Sequence, residues 1–248
     1  MDRKIRVGAV SYLNTKPLLY GIKNSPVIAE ISLITEFPAR IGDMLLRNEI
    51  DIGLVPVAII PQMKEYHINT GYCIGSDGAV ASVCLFSEVP IQEIKTVILD
   101  YQSRTSVLLA EILFEKYWKQ KPEYVHSATD FLNQIKGNTA AVIIGDRALR
   151  QRKSSAYFYD LGEAWKQMTG LPFVFAAWIS NKVLDPQWVE RFDEANAYGV
   201  QNIPLVLEQI TESFFDFKKY YTSYLSYRFD EEKKKGLNLF LQMLADKK

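Results

Sequence analysis

Apolar and polar positions change period repeatedly along this chain, and the changes mark out alternating strands and helices. Ile5–Val10 is a short apolar run that reads as a strand. Thr15 can cap a short helix that has Pro17 in its first turn, where the missing N–H costs little. Positions 31–37 predict a second strand. Pro38 opens a helix to about Arg47, with Ile41, Met44, Leu45 and Leu46 at helical spacing, and Asn48 suits a left-handed cap. Positions 52–55 are an apolar strand closed by Pro56, followed by a short helix to Ile60. Strands at 72–74 and 82–86 flank the loop Gly75-Ser76-Asp77-Gly78.

The middle of the chain repeats the pattern. Positions 96–99 predict a strand. Residues Ser103 to Ser106 supply caps for a helix carrying Leu108, Leu109, Ile112, Leu113 and Trp118. A short strand is expected at 124–125, a helix around Phe131, Leu132 and Ile135, and an apolar strand at 140–144 that ends at Gly145-Asp146. From Pro186 onward the pattern is mostly helical, and the tyrosines and tryptophans there read as core packing. The run from Glu231 to Lys235 reads as a solvated helix face. Alternating βα units indicate an α/β protein with mainly parallel sheets, and no internal repeat is visible.

Composition narrows the class. The chain has 248 residues, 48% hydrophobic and 23% charged, enough to bury a core without disulfide or metal staples. Lys+Arg and Asp+Glu are 29 each, and zero net charge weighs against a nucleic-acid partner. Cys73 and Cys84 lie in apolar stretches and read as buried free thiols. With His67 and His126 they do not make a zinc spacing, and the histidines read as surface or structural. The charged start at Met1, Asp2 and Arg3 is unlike a signal peptide, and no apolar run approaches the roughly 20 residues of a membrane span. A soluble, cytoplasmic protein with no membrane partner is expected.

In open α/β sheets ligands sit beyond the carboxyl ends of the strands. Polar groups gather at these ends. Ser11, Tyr12, Leu13, Asn14 and Thr15 follow the first strand, and Pro56 and Val57 start the helix after the third. Ser82 lies near the glycine loop. Asp100 to Ser106 follow 96–99, and Gly145, Asp146 and Arg147 follow 140–144. Hydroxyls, amides and free helix N–H groups in such places suit a small, oxygen-rich, carboxylated ligand. Each piece also has a plainer reading. Thr15, Ser103, Thr105 and Ser106 are acceptable N-caps, Asn14 a turn residue, Asp146 a cap, Arg104 the partner of a surface carboxylate, and Ser82 a small strand residue. Serine hydrolase, phosphate-loop, dinucleotide and zinc-hydrolase motifs are absent, so an enzyme here would work by positioning and fixed dipoles.

Taken together the motifs are more specific. VGAVSYLNTKPL at 7–18 resembles the amino-terminal signature of the chorismate dehydratase family, which acts first in the futalosine route to menaquinone. EIDIGLVPVA at 49–58, SRTS at 103–106, IGDRAL at 144–149, YDLGEAW at 159–165 and TGLPFVFA at 169–176 resemble further blocks of that family, in its order. Asn48 stands where the family often has glycine. The resemblance runs from Val7 to about Ser180 and implies a type II periplasmic-binding-protein-like fold, two α/β lobes with the ligand in the cleft between them. The lobes would be 1–86 plus 178–248 and 87–177, with strands 82–86 and 174–180 as the crossings.

The resemblance also implies a cytoplasmic carbon–oxygen lyase without cofactor or metal. It would convert chorismate, a dicarboxylate, to 3-[(1-carboxyvinyl)oxy]benzoate and water. Under that reading Asn14, Ser82 and Asp146 are the candidate catalytic residues. Ser103, Arg104, Thr105 and Ser106 would hold one carboxylate, and Ser82 with the N–H groups near Pro56–Ala58 the other, or the developing enolate. Ser11 and Gly145 complete the binding set. No histidine falls in a motif, which leaves a protein side chain such as Asp146 or a substrate carboxylate itself to take the proton. Two rivals share the fold. A 1,4-dihydroxy-6-naphthoate synthase would carry a different amino-terminal motif, near Ser-Pro-Cys-Pro-Asn-Asp. A non-catalytic solute-binding protein would carry a leader or a lipidated cysteine.

Overall fold

The computed structural model describes residues 4–247; the charged start read from Met1, Asp2 and Arg3 lies outside them. Eleven strands in this range form two sheets. They are β1 (Ile5–Val10), β2 (Ile31–Glu36), β3 (Ile52–Pro56), β4 (His67–Ser76), β5 (Val83–Ser87), β6 (Thr96–Leu99), β7 (Glu123–His126), β8 (Thr139–Ile144), β9 (Tyr157–Asp160), β10 (Phe173–Ser180) and β11 (Ser226–Arg228). The first sheet runs β11-β4-β10-β3-β1-β2 and the second β7-β6-β8-β5-β9. β1 lies parallel between β2 and β3, and β6 lies parallel between β7 and β8. Each parallel set is then extended by an antiparallel strand, β10 in the first sheet and β5 in the second.

That arrangement relocates the crossings. The sequence reading put them inside strands 82–86 and 174–180, yet β5 pairs along its length with β8 and β9, and β10 with β3 and β4. The chain therefore passes between sheets before β5, at 77–82, and before β10, at 170–172. The first passage is held by Asp160, whose carboxylate accepts from the N–H groups of Val80 at 3.0 Å and Ala81 at 2.7 Å. The same carboxylate caps the helix that follows β9 through Gly162 and Glu163. Ala81 has a left-handed φ of 64° there, and Ser82 precedes the strand rather than lying in it.

The helices are α1 (Lys16–Lys23), α2 (Pro38–Leu46), α3 (Thr105–Lys116), α4 (Gly145–Gln151), α5 (Leu161–Thr169), α6 (Pro186–Gln201), α7 (Ile203–Glu208), a short α8 (Phe217–Lys219) and α9 (Glu231–Ala245). Their ends follow local chemistry. α2 begins at Pro38 and stops at Asn48, whose φ is 59°. The N–H groups of Asn48 and Glu49 return to the carbonyls of Leu45 and Met44, which closes a Schellman turn. Asp185 and Asp230 cap α6 and α9. The helix expected at Phe131, Leu132 and Ile135 is only a 3-10 turn at Leu132–Gln134. Phe131 is buried against the second sheet, with Leu132 and Ile135 packed beside it. β9 and β11 were not read from sequence; β9 is an edge strand with Tyr157 and Phe158 exposed, so it lacks a continuous apolar signal.

Asp51 ties three strands of the first sheet at the end away from the second. It accepts from the Arg6 backbone and guanidinium, and from Lys182 Nζ at 2.6 Å. Burial acts to raise its pKa, but these donors outweigh burial and hold the carboxyl well below the usual range. The stabilisation is therefore full above the unfolded carboxylate pKa and is lost as pH falls toward the depressed folded value. Asp51→Asn should cost about 2 kcal/mol in urea denaturation at pH 7, and less at pH 3. An equal loss at both pH values would contradict the ion-pair account.

Candidate active site

The segments after β1, β3, β6 and β8 converge between the two sheets around a narrow cavity of about 40 Å³. Tyr12 and Asn14 reach it from the turn after β1, Pro56 from the end of β3, Ser103, Thr105 and Ser106 from the start of α3, and Gly145 from the start of α4. Ile74, Val83, Ile144 and Phe175 contribute apolar wall, and no charged residue is among the lining. A wider, open groove of about 460 Å³ runs along β9 and α5, and none of the sequence-predicted residues lines it.

The Asn14 turn is a 3-10 turn, Leu13–Thr15, that runs directly into α1. Thr15 does not cap α1 through its side chain; its hydroxyl donates to Asn14 Oδ1 at 3.0 Å. The carbonyl end of the Asn14 amide is thereby occupied, and Nδ2 is left as its donor. The Leu13 N–H donates to Asp146 Oδ1 in the other lobe at 3.1 Å. Asp146 thus acts across the cleft rather than as a cap of its own helix. Burial raises its carboxyl from the ordinary value, opposed by the Leu13 N–H and nearby Lys16.

At α3 the serine and threonine roles divide. Ser103 Oγ accepts from the Ser106 N–H at 3.1 Å, a side-chain cap. Thr105 Oγ1 instead accepts from the Ala58 N–H at 3.2 Å, which joins α3 to the turn after β3. Arg104 points away. Its guanidinium pairs with Asp43 at 3.0 Å, its side chain is 49% exposed, and it does not line the cavity.

Gly145 has a φ of 67°, and a Cβ there would lie 2.7 Å from the Tyr12 ring. The glycine therefore serves both the turn and the approach of Tyr12. The Tyr12 hydroxyl donates to Gln102 Oε1, which also accepts from Arg147 Nη2 at 2.9 Å. Arg147 is paired with fully buried Asp100 at 2.6 Å. The Gln102 carbonyl accepts from the Ala39 N–H at 3.0 Å, a further bond between lobes.

The cavity therefore gathers Asn14, Pro56, Ser103, Thr105, Ser106 and Gly145 from the sequence-predicted set. Ser82 and Asp146 lie behind its wall. Ser82 is buried next to Val83, and its carbonyl accepts from the Gly145 N–H at 2.8 Å. Ser11 is exposed and borders an outer groove with Lys16 and Lys23, while Val57 is buried in its turn. Tyr12, Gln102 and Arg147 were not singled out as site residues. Their places at the tips of β1, β6 and β8 were the available signal, but nothing in the sequence says that the three meet. His67 pairs with Glu65 and His126 ends β7, both away from the cavity; Cys73 and Cys84 are buried free thiols.

A sequence profile of a family described as menaquinone biosynthesis matches residues 5–246. A chorismate dehydratase of Thermus thermophilus is 24% identical, with 96% of this chain and 94% of that protein covered. A chorismate dehydratase of Campylobacter jejuni is 26% identical over 75% of this chain and 72% of its own. Among solved structures, a protein of Archaeoglobus fulgidus superposes with a TM-score of 0.78 at 16% identity, covering 98% of this chain and 97% of its own. A Candida albicans product described as having the generic periplasmic binding protein fold gives 0.62 at 12%, covering 97% and 91%. The periplasmic aliphatic sulphonate binding protein of Escherichia coli gives 0.55 at 14%, covering 99% and 94%. The fold is periplasmic-binding-protein-like. Among the described residues no helix is long and apolar enough to cross a membrane.

Gly145→Ala should cost about 2 kcal/mol or more in urea denaturation, since the left-handed φ and the Tyr12 ring both oppose a methyl group. A loss below about 0.5 kcal/mol would mean that the ring swings aside freely.

Proposed function

The chain belongs to the menaquinone biosynthesis family, and from that premise we propose that it is a chorismate dehydratase, a lyase that eliminates water from chorismate to give 3-[(1-carboxyvinyl)oxy]benzoate. The observation that carries this reading is the cavity itself. Neutral donors from both lobes meet at the strand tips, where a small oxygen-rich anion would sit at the start of α3.

The reaction needs positioning more than strong acids or bases. The ring C3–H is vinylogous to the ring carboxylate through the C1=C2 bond. Its removal gives a dienolate. The electron pair then expels the C4 hydroxyl, which leaves with a proton as water, and the ring becomes aromatic. Ser103, Thr105, Ser106 and the first N–H groups of α3 anchor one carboxylate. Asn14 Nδ2 donates to the departing hydroxyl or to the reacting carboxylate. The substrate's second carboxylate takes the C3 proton, using proximity in place of basicity. Asp146 orients Leu13 and hence Asn14, and Ser82 steadies Gly145 from behind. Arg104 is left out of the anchor set because Asp43 holds it elsewhere. The reaction is placed in the cytoplasm.

Purified protein given chorismate should form the aromatic enol ether, followed by absorbance and product mass; binding without turnover would defeat the proposal. Asn14→Ala should lower kcat about 100-fold with KM changed less than about threefold. Comparable losses in both would remove Asn14 from the transition state. Arg104→Ala should move KM less than about threefold, and a rise of tenfold or more would return it to the anchors.

A further inference from the structure

The carboxyl-terminal tyrosines, which sequence alone reads as packing, converge behind the active-site turn. Tyr221 Oη donates to the carbonyl of Leu13 at 2.9 Å, and Tyr227 Oη to the carbonyl of Asn14 at 2.8 Å. Tyr220 Oη lies beside Ser82 Oγ; the pair falls short of hydrogen-bond geometry, and neither atom has another partner. All three rings are buried. They are delivered by one irregular segment, a π turn at Tyr220–Tyr224 running into β11. A π turn places Tyr220 and Tyr221 side by side, with ring centroids 5.4 Å apart.

We propose that Tyr227 and Tyr221 are positioning residues that set the direction of the Asn14 amide for the elimination. The proposal rests on the chorismate dehydratase reading. Asn14 is gripped from every side the turn offers. Asp146 takes the N–H of Leu13, Tyr221 its carbonyl, Tyr227 the carbonyl of Asn14, and Thr15 the Asn14 side-chain oxygen. These bonds hold three successive peptides and the side-chain oxygen, and so fix where Nδ2 points. Loss of a phenol hydroxyl frees one carbonyl and lets the amide swing, while the aromatic ring and its packing stay. Burial pushes the phenols of Tyr221 and Tyr227 above their ordinary values, so both remain donors wherever the substrate carboxylates are ionised.

The test is a kinetic double-mutant cycle with chorismate. Tyr227→Phe should lower kcat about tenfold with KM within about twofold, and Tyr221→Phe should behave alike. Asn14→Ala/Tyr227→Phe should be no slower than Asn14→Ala alone, because the hydroxyl acts through that amide. Thermal unfolding of each variant reports folding separately. A Tyr227→Phe protein with parental kcat and a lowered Tm, or additive losses in the double variant, would make the tyrosines packing residues only and overturn the proposal. An inactive parental protein would instead defeat the dehydratase reading, and the proposal with it.

Discussion

A cleft closed between two sheets must satisfy the backbone donors at its strand tips, since an unpaired buried N–H costs about 1–3 kcal/mol. Here the second lobe supplies acceptors to the first. Asp146 takes Leu13, Thr105 takes Ala58, and the Gln102 carbonyl takes Ala39. These three bonds set the spacing of the lobes at three different strand ends. The cavity is what remains between them, and its neutral character follows. The charged groups nearby are already matched, Arg147 with Asp100 and Arg104 with Asp43. A ligand meets hydroxyls, an amide and helix N–H groups instead of a competing cation.

That character suits an elimination driven by aromatisation. A strong cation beside either carboxylate would hold the substrate as firmly before reaction as during it, which lowers KM without raising kcat. Fixed neutral dipoles in an apolar wall discriminate better when charge moves from C3 into the dienolate, since they need no reorganisation. The apolar side chains of Ile74, Val83, Ile144 and Phe175 keep the local dielectric low enough for such dipoles to matter.

Much of the fold was legible because periodicity is a local signal. β1, β3, β6 and β8, α2 with its Asn48 stop, and the Ser103 cap all follow from a few adjacent residues. The polar tips were legible for the same reason, and six of the predicted residues do line one cavity. What escaped depends on partners far along the chain. Thr105 and Asp146 look like caps until the opposite lobe presents Ala58 and Leu13. Arg104 looks like an anion anchor until Asp43 is beside it. The tyrosines of the last segment carry no motif and become meaningful only through carbonyls some 200 positions earlier. Phe131 misled for the opposite reason: its apolar spacing with Leu132 and Ile135 serves packing on the second sheet and not a helix.

The traded antiparallel strands govern how the molecule can be built on the ribosome. The second sheet draws all its strands from a continuous stretch, β5 to β9, and can close as soon as that stretch emerges. The first sheet cannot. Its β3 and β4 stay apart until β10, more than ninety residues after β4, threads between them. Until then the apolar edge of β3 that pairs with β10 is open, the kind of edge on which chains aggregate.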